Sequence, residues 1–117
     1  MKAIVIDSIN RKAEVRDIKG TISELREIVG GPICYATSYS NGDTLYVDDE
    51  GLLKNPEYFF TVKGCTQPLA GNGILVGMEI EDYENDTYYH ADVGNTIEDL
   101  EIIFMNRTTA MLIAEEL

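Results

Sequence analysis

The chain has 117 residues, 44% of them apolar, and this excludes a disordered polypeptide and fits one domain that needs neither metal nor disulfide to fold. Its net charge of −12 is uneven: residues 1–42 carry six basic and five acidic side chains (+1), and residues 43–117 carry three and sixteen (−13). Direct binding to nucleic acid or to an anionic membrane is therefore disfavoured, and a basic protein partner is allowed.

Residues 2–7, with Ile4, Val5 and Ile6, read as a β-strand. No run approaches the roughly 18 apolar residues of a membrane helix. This opening run is broken by Asp7 and lacks a small-residue cleavage site, so it is not a signal peptide and the expected location is cytoplasmic. Residues 11–18 alternate, with Ala13, Val15 and Asp17 on one face and Glu14, Arg16 and Ile18 on the other, and Ser8-Ile9-Asn10 links the two strands. Residues 21–29 read as a helix. Thr21 is its N-cap, Glu24 closes a capping box, Ile22, Leu25, Ile28 and Val29 make its apolar stripe, and Gly30-Gly31-Pro32 end it.

Residues 33–39 and 43–48 form a hairpin around Asn41-Gly42, with Ile33, Tyr35, Thr37 and Tyr39 expected on one face. Across residues 49–72, Gly64, Pro68 and Gly71 break any long element, so a short helix or irregular loop packed on the sheet is expected. Residues 73–80 read as a central strand, 81–86 as an exposed acidic loop and 87–91 as a further short strand. Asn95 or Thr96 then caps a C-terminal helix with Ile97, Leu100, Ile103 and Phe104 buried. That helix either continues through Ile113 or breaks near Asn106. The order ββ-α-ββ-loop-β-(β)-α predicts an α+β domain: a mostly antiparallel sheet of about five or six strands, with two helices on one face.

Three stretches carry a family resemblance: Gly30-Gly31-Pro32-Ile33, then Asp43 to Pro56 with Leu45-Tyr46-Val47 and Glu50-Gly51-Leu52-Leu53-Lys54, then Gly71 to Gly77. The chain resembles small domains of bacteria, their phages and mobile elements that are catalogued only as a domain of unknown function. It departs from them at Pro32, where an aromatic residue is common, and Tyr58-Phe59-Phe60 and residues 81–86 look particular to this member. The resemblance implies a phage- or mobile-element-associated accessory protein in a host cytoplasm. It implies no reaction and supplies no catalytic residues.

The chemistries open to these residues are few. Gly71-x-Gly73-x3-Gly77 leads into a strand rather than a helix N-terminus, so a turn and close sheet packing explain it better than a phosphate loop. The residues Asn41, Asp43 and Leu45 fail the calcium-loop pattern, and no metal or other cofactor is implied. His90 is the single histidine, so any Cys–His pair with Cys34 or Cys65 must run through it, and neither cysteine has a local signature. The two thiols read as reduced, with at least one in the core.

The best-supported reading is a non-enzymatic module that binds a basic host protein through acidic and aromatic residues: Asp48, Asp49, Glu50, Glu81, Asp82, Tyr83, Glu84 and Asp86. Carboxylates at phosphate-like intervals would let it act as a DNA mimic on a nucleic-acid-binding nuclease, in the manner of anti-CRISPR and anti-restriction proteins. The alternative is a small-ligand or nucleotide-sequestering protein, which needs Arg11, Lys54, Lys63 and Arg107 to converge.

Overall fold

Alternation fixes the centre of the molecule. In the strand Lys2–Asp7, Ala3 and Val5 point one way, Ile4 and Ile6 the other, and all four are buried. A strand buried on both faces must lie between two layers. The computed structural model describes residues 1–116. Their elements in chain order are β1 (Lys2–Asp7), β2 (Lys12–Asp17), α1 (Ile22–Val29), β3 (Ile33–Ser38), β4 (Thr44–Asp48), β5 (Tyr58–Val62), β6 (Cys65–Ala70), β7 (Gly73–Val76), β8 (Glu79–Asp82), β9 (Thr87–His90), β10 (Ile103–Asn106) and α2 (Arg107–Glu116). Single 3-10 turns occupy Gly51–Lys54 and Glu98–Leu100.

Five strands form the main sheet, in the order β2-β1-β7-β4-β3, with every neighbour antiparallel. A second antiparallel sheet has the order β10-β5-β6, and β8 and β9 pair as a separate ribbon. The expected α+β class and mostly antiparallel plan are present.

The layers follow from which faces are apolar. On one side of the main sheet, Leu25 and Val29 of α1 pack on Ala3, Val5, Ile74 and Val76. On the other, Ile4, Ile6, Leu45, Val47 and Leu75 meet Phe60 and Val62 of β5, with Leu100 beside them. Phe59, one residue before Phe60, points outward from the second sheet and is covered with Ala70 and Met105 by Ala110 and Ile113 of α2. The stack is thus α1, main sheet, second sheet, α2. The two helices do not share a face. α2 has a sheet of its own to cover, because Phe59 and Phe60 make that sheet apolar on both sides.

Three expectations are corrected here. Residues 58–70 are not a helix or loop but two strands, with Gly64 in their turn at φ 82° and Pro68 on the edge strand β6, where a missing N–H is tolerated. The helix expected from Asn95 or Thr96 is one 3-10 turn. Thr96 and Asp99 do form reciprocal cap bonds, but the chain then leaves through Glu101 at φ 47° and residues 103–106 pair with β5. The C-terminal helix starts after the break at Asn106, whose side-chain oxygen accepts the Thr109 N–H. Finally, a bulge between Tyr35 and Thr37 splits the expected face of β3. Tyr35 lies opposite Tyr46, whereas Thr37 lies opposite the core residue Leu45.

The other local signals hold. The Glu24 N–H donates to Thr21 Oγ1, and the Glu24 carboxylate accepts the Lys19 and Gly20 N–H groups. Gly30 ends α1 in the left-handed region at φ 95°. The β3–β4 loop has Gly42 left-handed and closes through Tyr39 N–H to the Asp43 carbonyl, one residue longer than a two-residue turn.

Candidate binding surface

The β8–β9 ribbon is where exposed charge and exposed aromatics coincide. It carries Glu79, Glu81, Asp82, Glu84 and Asp86, with no Lys or Arg anywhere between Lys63 and Arg107. Tyr83, Tyr88 and Tyr89 are exposed, and Tyr83 at its turn is 84% accessible. Register pairs Glu79 with His90 and Glu81 with Tyr88 on one face, and the Tyr88 hydroxyl donates to Glu81 at 3.2 Å. Ile80 and Tyr89 pair on the other face. The ion pairs among the described residues join Met1 with Asp17, Arg16 with Glu14, Lys54 with Asp48 and Arg107 with Glu57. None of them includes a carboxylate of the ribbon.

A two-stranded ribbon is marginal alone, and this one is tied down at its base. Ala91 N–H donates to the Met78 carbonyl. His90 Nδ1 lies 2.9 Å from the Gly77 carbonyl; that oxygen can only accept, so Nδ1 carries the proton. A side chain at Gly77 would run into the Ala91 and Asp92 carbonyl oxygens, so glycine is required there for close backbone approach. Beyond the ribbon, Val93 N–H donates to the Lys2 carbonyl and the Asp92 side chain accepts the Lys2 N–H.

Asp43 completes the anchor. It is 2% exposed and accepts bonds from the Gly94 N–H, the Asn95 N–H and the Asn95 side-chain amide at 2.7–3.1 Å. A buried carboxylate without a cation is stable only when its oxygens are filled by donors in this way. It pins the 91–97 loop to the β3–β4 turn.

The eight residues singled out from the sequence do not form one patch. The β4–β7 register places Thr44 opposite Val76 and Val47 opposite Gly73. The ribbon therefore leaves the main sheet at the Thr44 end, while Asp48, Asp49 and Glu50 sit at the other end of β4. Asp48 is also buried and already engaged. It is 8% exposed, holds Lys54 Nζ at 2.5 Å and accepts the Glu50 N–H, and Lys54 donates in turn to the Gly30 carbonyl at 2.6 Å. This network locks the end of α1 to the Gly51–Lys54 turn. Asp49 and Glu50 remain exposed there.

Asp82 is structural as well. It accepts the Glu84 and Asn85 N–H groups and the Asn85 side-chain amide. These hydrogen bonds, that from the Asn85 side chain first, hold its pKa below the ordinary value. Asp7 does the same with Ile9 and Asn10 in the β1–β2 turn. Both turns read Asp-x-x-Asn followed by a left-handed residue, Arg11 or Asp86. That shared spacing was visible in the sequence and marks Asp82 as a turn residue. Glu79, Tyr88 and Tyr89, outside the eight residues singled out, also stand on this ribbon. Their signal was the alternation of residues 79–82 and 87–90 around this turn.

The remaining chemistry is dispersed. Cys34 and Cys65 line one cleft of about 260 Å³ between β3 and β6, with Leu52, Pro68 and Leu69. Burial raises the pKa of both thiols, and the Asp49 charge adds to this at Cys34, so both stay protonated at neutral pH. His90 is on the ribbon rather than in that cleft. Lys54 is engaged by Asp48 and Arg107 by Glu57, Lys63 lines a groove with Tyr39 and Asp99, and Arg11 is in the β1–β2 turn. Two of the four cations of the nucleotide reading are thus already paired with carboxylates, and Lys54 and Lys63 line different grooves. Among the described residues, no three His, Cys, Asp or Glu side chains cluster to hold a metal ion, and no helix is long and apolar enough to cross a membrane.

A family model described as a domain of unknown function, DUF3846, matches residues 1–101, and the chain belongs to that family. No curated protein and no solved structure matches it. The match ends at the 3-10 turn before β10, so β10 and α2, which cover Phe59, lie beyond it.

Proposed function

We propose that this DUF3846 protein is a non-enzymatic interaction module that uses its β8–β9 ribbon to bind a basic protein. One observation carries the reading: the ribbon's carboxylates have no cationic partner among the described ion pairs, yet they stand beside three exposed tyrosines on an anchored base. Free carboxylates steer a basic partner from a distance, and tyrosines add contact area at small entropic cost.

The partner class that fits is a host protein with a basic nucleic-acid groove. Glu79 and Glu81 share a face of β8, so their carboxylates repeat at about 7 Å along the strand. A phosphate backbone offers a basic groove a comparable row of charges. Blocking a defence nuclease of a phage's or mobile element's host is the corresponding role, and the bacterial cytoplasm its setting.

The test is capture of a nucleic-acid-binding partner from host lysate by the wild type and by the quadruple variant E79Q/E81Q/E84Q/D86N, which keeps Asp82 and its turn. The wild type should retain the partner at low ionic strength, lose it as salt rises, and release it to competing duplex DNA. Equal retention by both proteins, indifferent to salt and DNA, would overturn the proposal.

A further inference from the structure

The open edges of the two larger sheets are not alike. β3 is interrupted by its bulge at Ala36, and β6 by a bulge and by Pro68. Such devices discourage edge-to-edge pairing. β10, an edge of the second sheet, is unbroken but only four residues long, whereas β2, the other edge of the main sheet, runs its full six residues opposite β1 in unbroken register.

The free groups of β2 can be assigned. Ile18 N–H donates to the Met1 carbonyl and the Met1 amino group donates to the Ile18 carbonyl, both at 2.8 Å. Residues that exchange both bonds alternate with residues that exchange none. Arg16, Glu14 and Lys12 therefore turn their backbone groups toward β1, and Asp17, Val15 and Ala13 turn theirs outward. The side chains on this edge are also self-complementary. Val15 is 55% exposed, and Glu14 and Arg16 flank it on the opposite face.

We infer that β2 is a dimerisation edge whose occupant is the β2 of a second copy of this chain, antiparallel about a two-fold axis at Val15. In that register Val15 lies opposite Val15 of the second copy, and the Val15 and Ala13–Asp17 pairs exchange backbone bonds. Glu14 then stands opposite Arg16 on both sides of the axis, exchanging its partner within the chain, 2.6 Å away, for an equivalent one across the interface. Moving the axis to Glu14 or to Arg16 would place like charges opposite each other, which destabilises a sheet pair. The interface is isologous, as a two-fold requires. It also places the two acidic ribbons far apart. Each ribbon leaves its main sheet near Lys2, beside the Asp17 end of β2, and antiparallel pairing sends those ends in opposite directions. The contact is narrow, so the association is of the weak, transient class. The ribbon takes no part in it, so this dimer stands or falls independently of the proposed function.

Sedimentation velocity across a concentration series tests it. The wild type should move from 13.0 kDa toward twice that mass as concentration rises. Val15→Pro removes only an outward N–H, spares the bonds to β1, and should hold the protein monomeric. Glu14→Arg should weaken the dimer at least about tenfold, and the double exchange E14R/R16E should restore it. Hydrogen exchange on the wild type adds a readout that needs no variant: Ala13, Val15 and Asp17 amides should gain protection with concentration. A monomer at every concentration would overturn the inference. So would a dimer that Glu14→Arg leaves intact, or protection that does not change at these amides.

Discussion

Replacing Asp43 with alanine removes the acceptor that fixes the 91–97 loop. The carboxylate is buried, and no Lys or Arg contacts it; its stability in the fold comes from the donors of Gly94 and Asn95, with a longer bond from the Asn41 side-chain amide. In the variant those two backbone N–H groups and the Asn95 amide lose their acceptor. Each unsatisfied buried donor costs about 1–3 kcal/mol. The loop relaxes enough to hydrate part of the set, so a loss of about 3 kcal/mol is expected. Against a total stability of about 5–15 kcal/mol this is severe, and in a domain of this size it lowers Tm by roughly 12 °C. Asp43→Asn keeps one acceptor oxygen and should lose about half as much. Urea unfolding followed by circular dichroism measures both. A loss below about 1 kcal/mol for Asp43→Ala, or an Asn variant as damaged as the Ala variant, would refute the assignment of Asp43 as the loop's anchor.

Three further outcomes follow from named contacts. Gly77→Ala drives its new methyl into the Ala91 and Asp92 carbonyls, which are backbone and cannot swing away; it should cost more than the roughly 1–3 kcal/mol of ordinary overpacking and free the ribbon from its base, read as faster hydrogen exchange over residues 79–90. Lys54→Met leaves the buried Asp48 carboxylate with the Glu50 N–H alone and should cost about 2–3 kcal/mol in urea unfolding, whereas Lys63→Met should cost under about 0.5 kcal/mol. The Asp82 pKa is lowered in the fold, so its contribution is present above the ordinary aspartate value and is lost as pH falls through the lowered one. Carboxyl titration by NMR should place Asp82 below a free aspartate, and Asn85→Ala should bring it back up.

The fold was legible wherever a local signal and the tertiary structure agreed. Thr21, Glu24 and Gly30 gave both ends of α1, and the apolar runs Ile4-Val5-Ile6 and Ile74-Leu75-Val76 gave β1 and β7. It was illegible where turn and breaker residues crowd the chain, as over residues 58–70. Tyr58-Phe59-Phe60-Thr61-Val62 is almost continuously buried, because α2 covers Phe59 and the main sheet covers Phe60. Pro68 reads as a breaker, and only its edge position makes it tolerable. Ile97, Leu100, Ile103 and Phe104 match helical spacing, but pairing of residues 103–106 with β5 overrides that local pattern. For the candidate surface, the sequence indicated the charge and the stretch from Glu81 to Asp86. It could not separate Asp48, which serves the fold, from the carboxylates left free, since a lone acidic letter does not reveal its donor; only the Asp-x-x-Asn spacing at Asp82 carried that information.

The central claim is that usable negative potential resides on the β8–β9 ribbon rather than at the Asp49–Glu50 corner or evenly over the surface. Titration of the ¹⁵N-labelled protein with a soluble paramagnetic cation, read as amide line broadening at moderate ionic strength, measures that potential residue by residue. The strongest broadening should fall on residues 79–89, fade in E79Q/E81Q/E84Q/D86N, and spare β2. Broadening of equal strength around Asp49, along β2 and over the ribbon would contradict the claim.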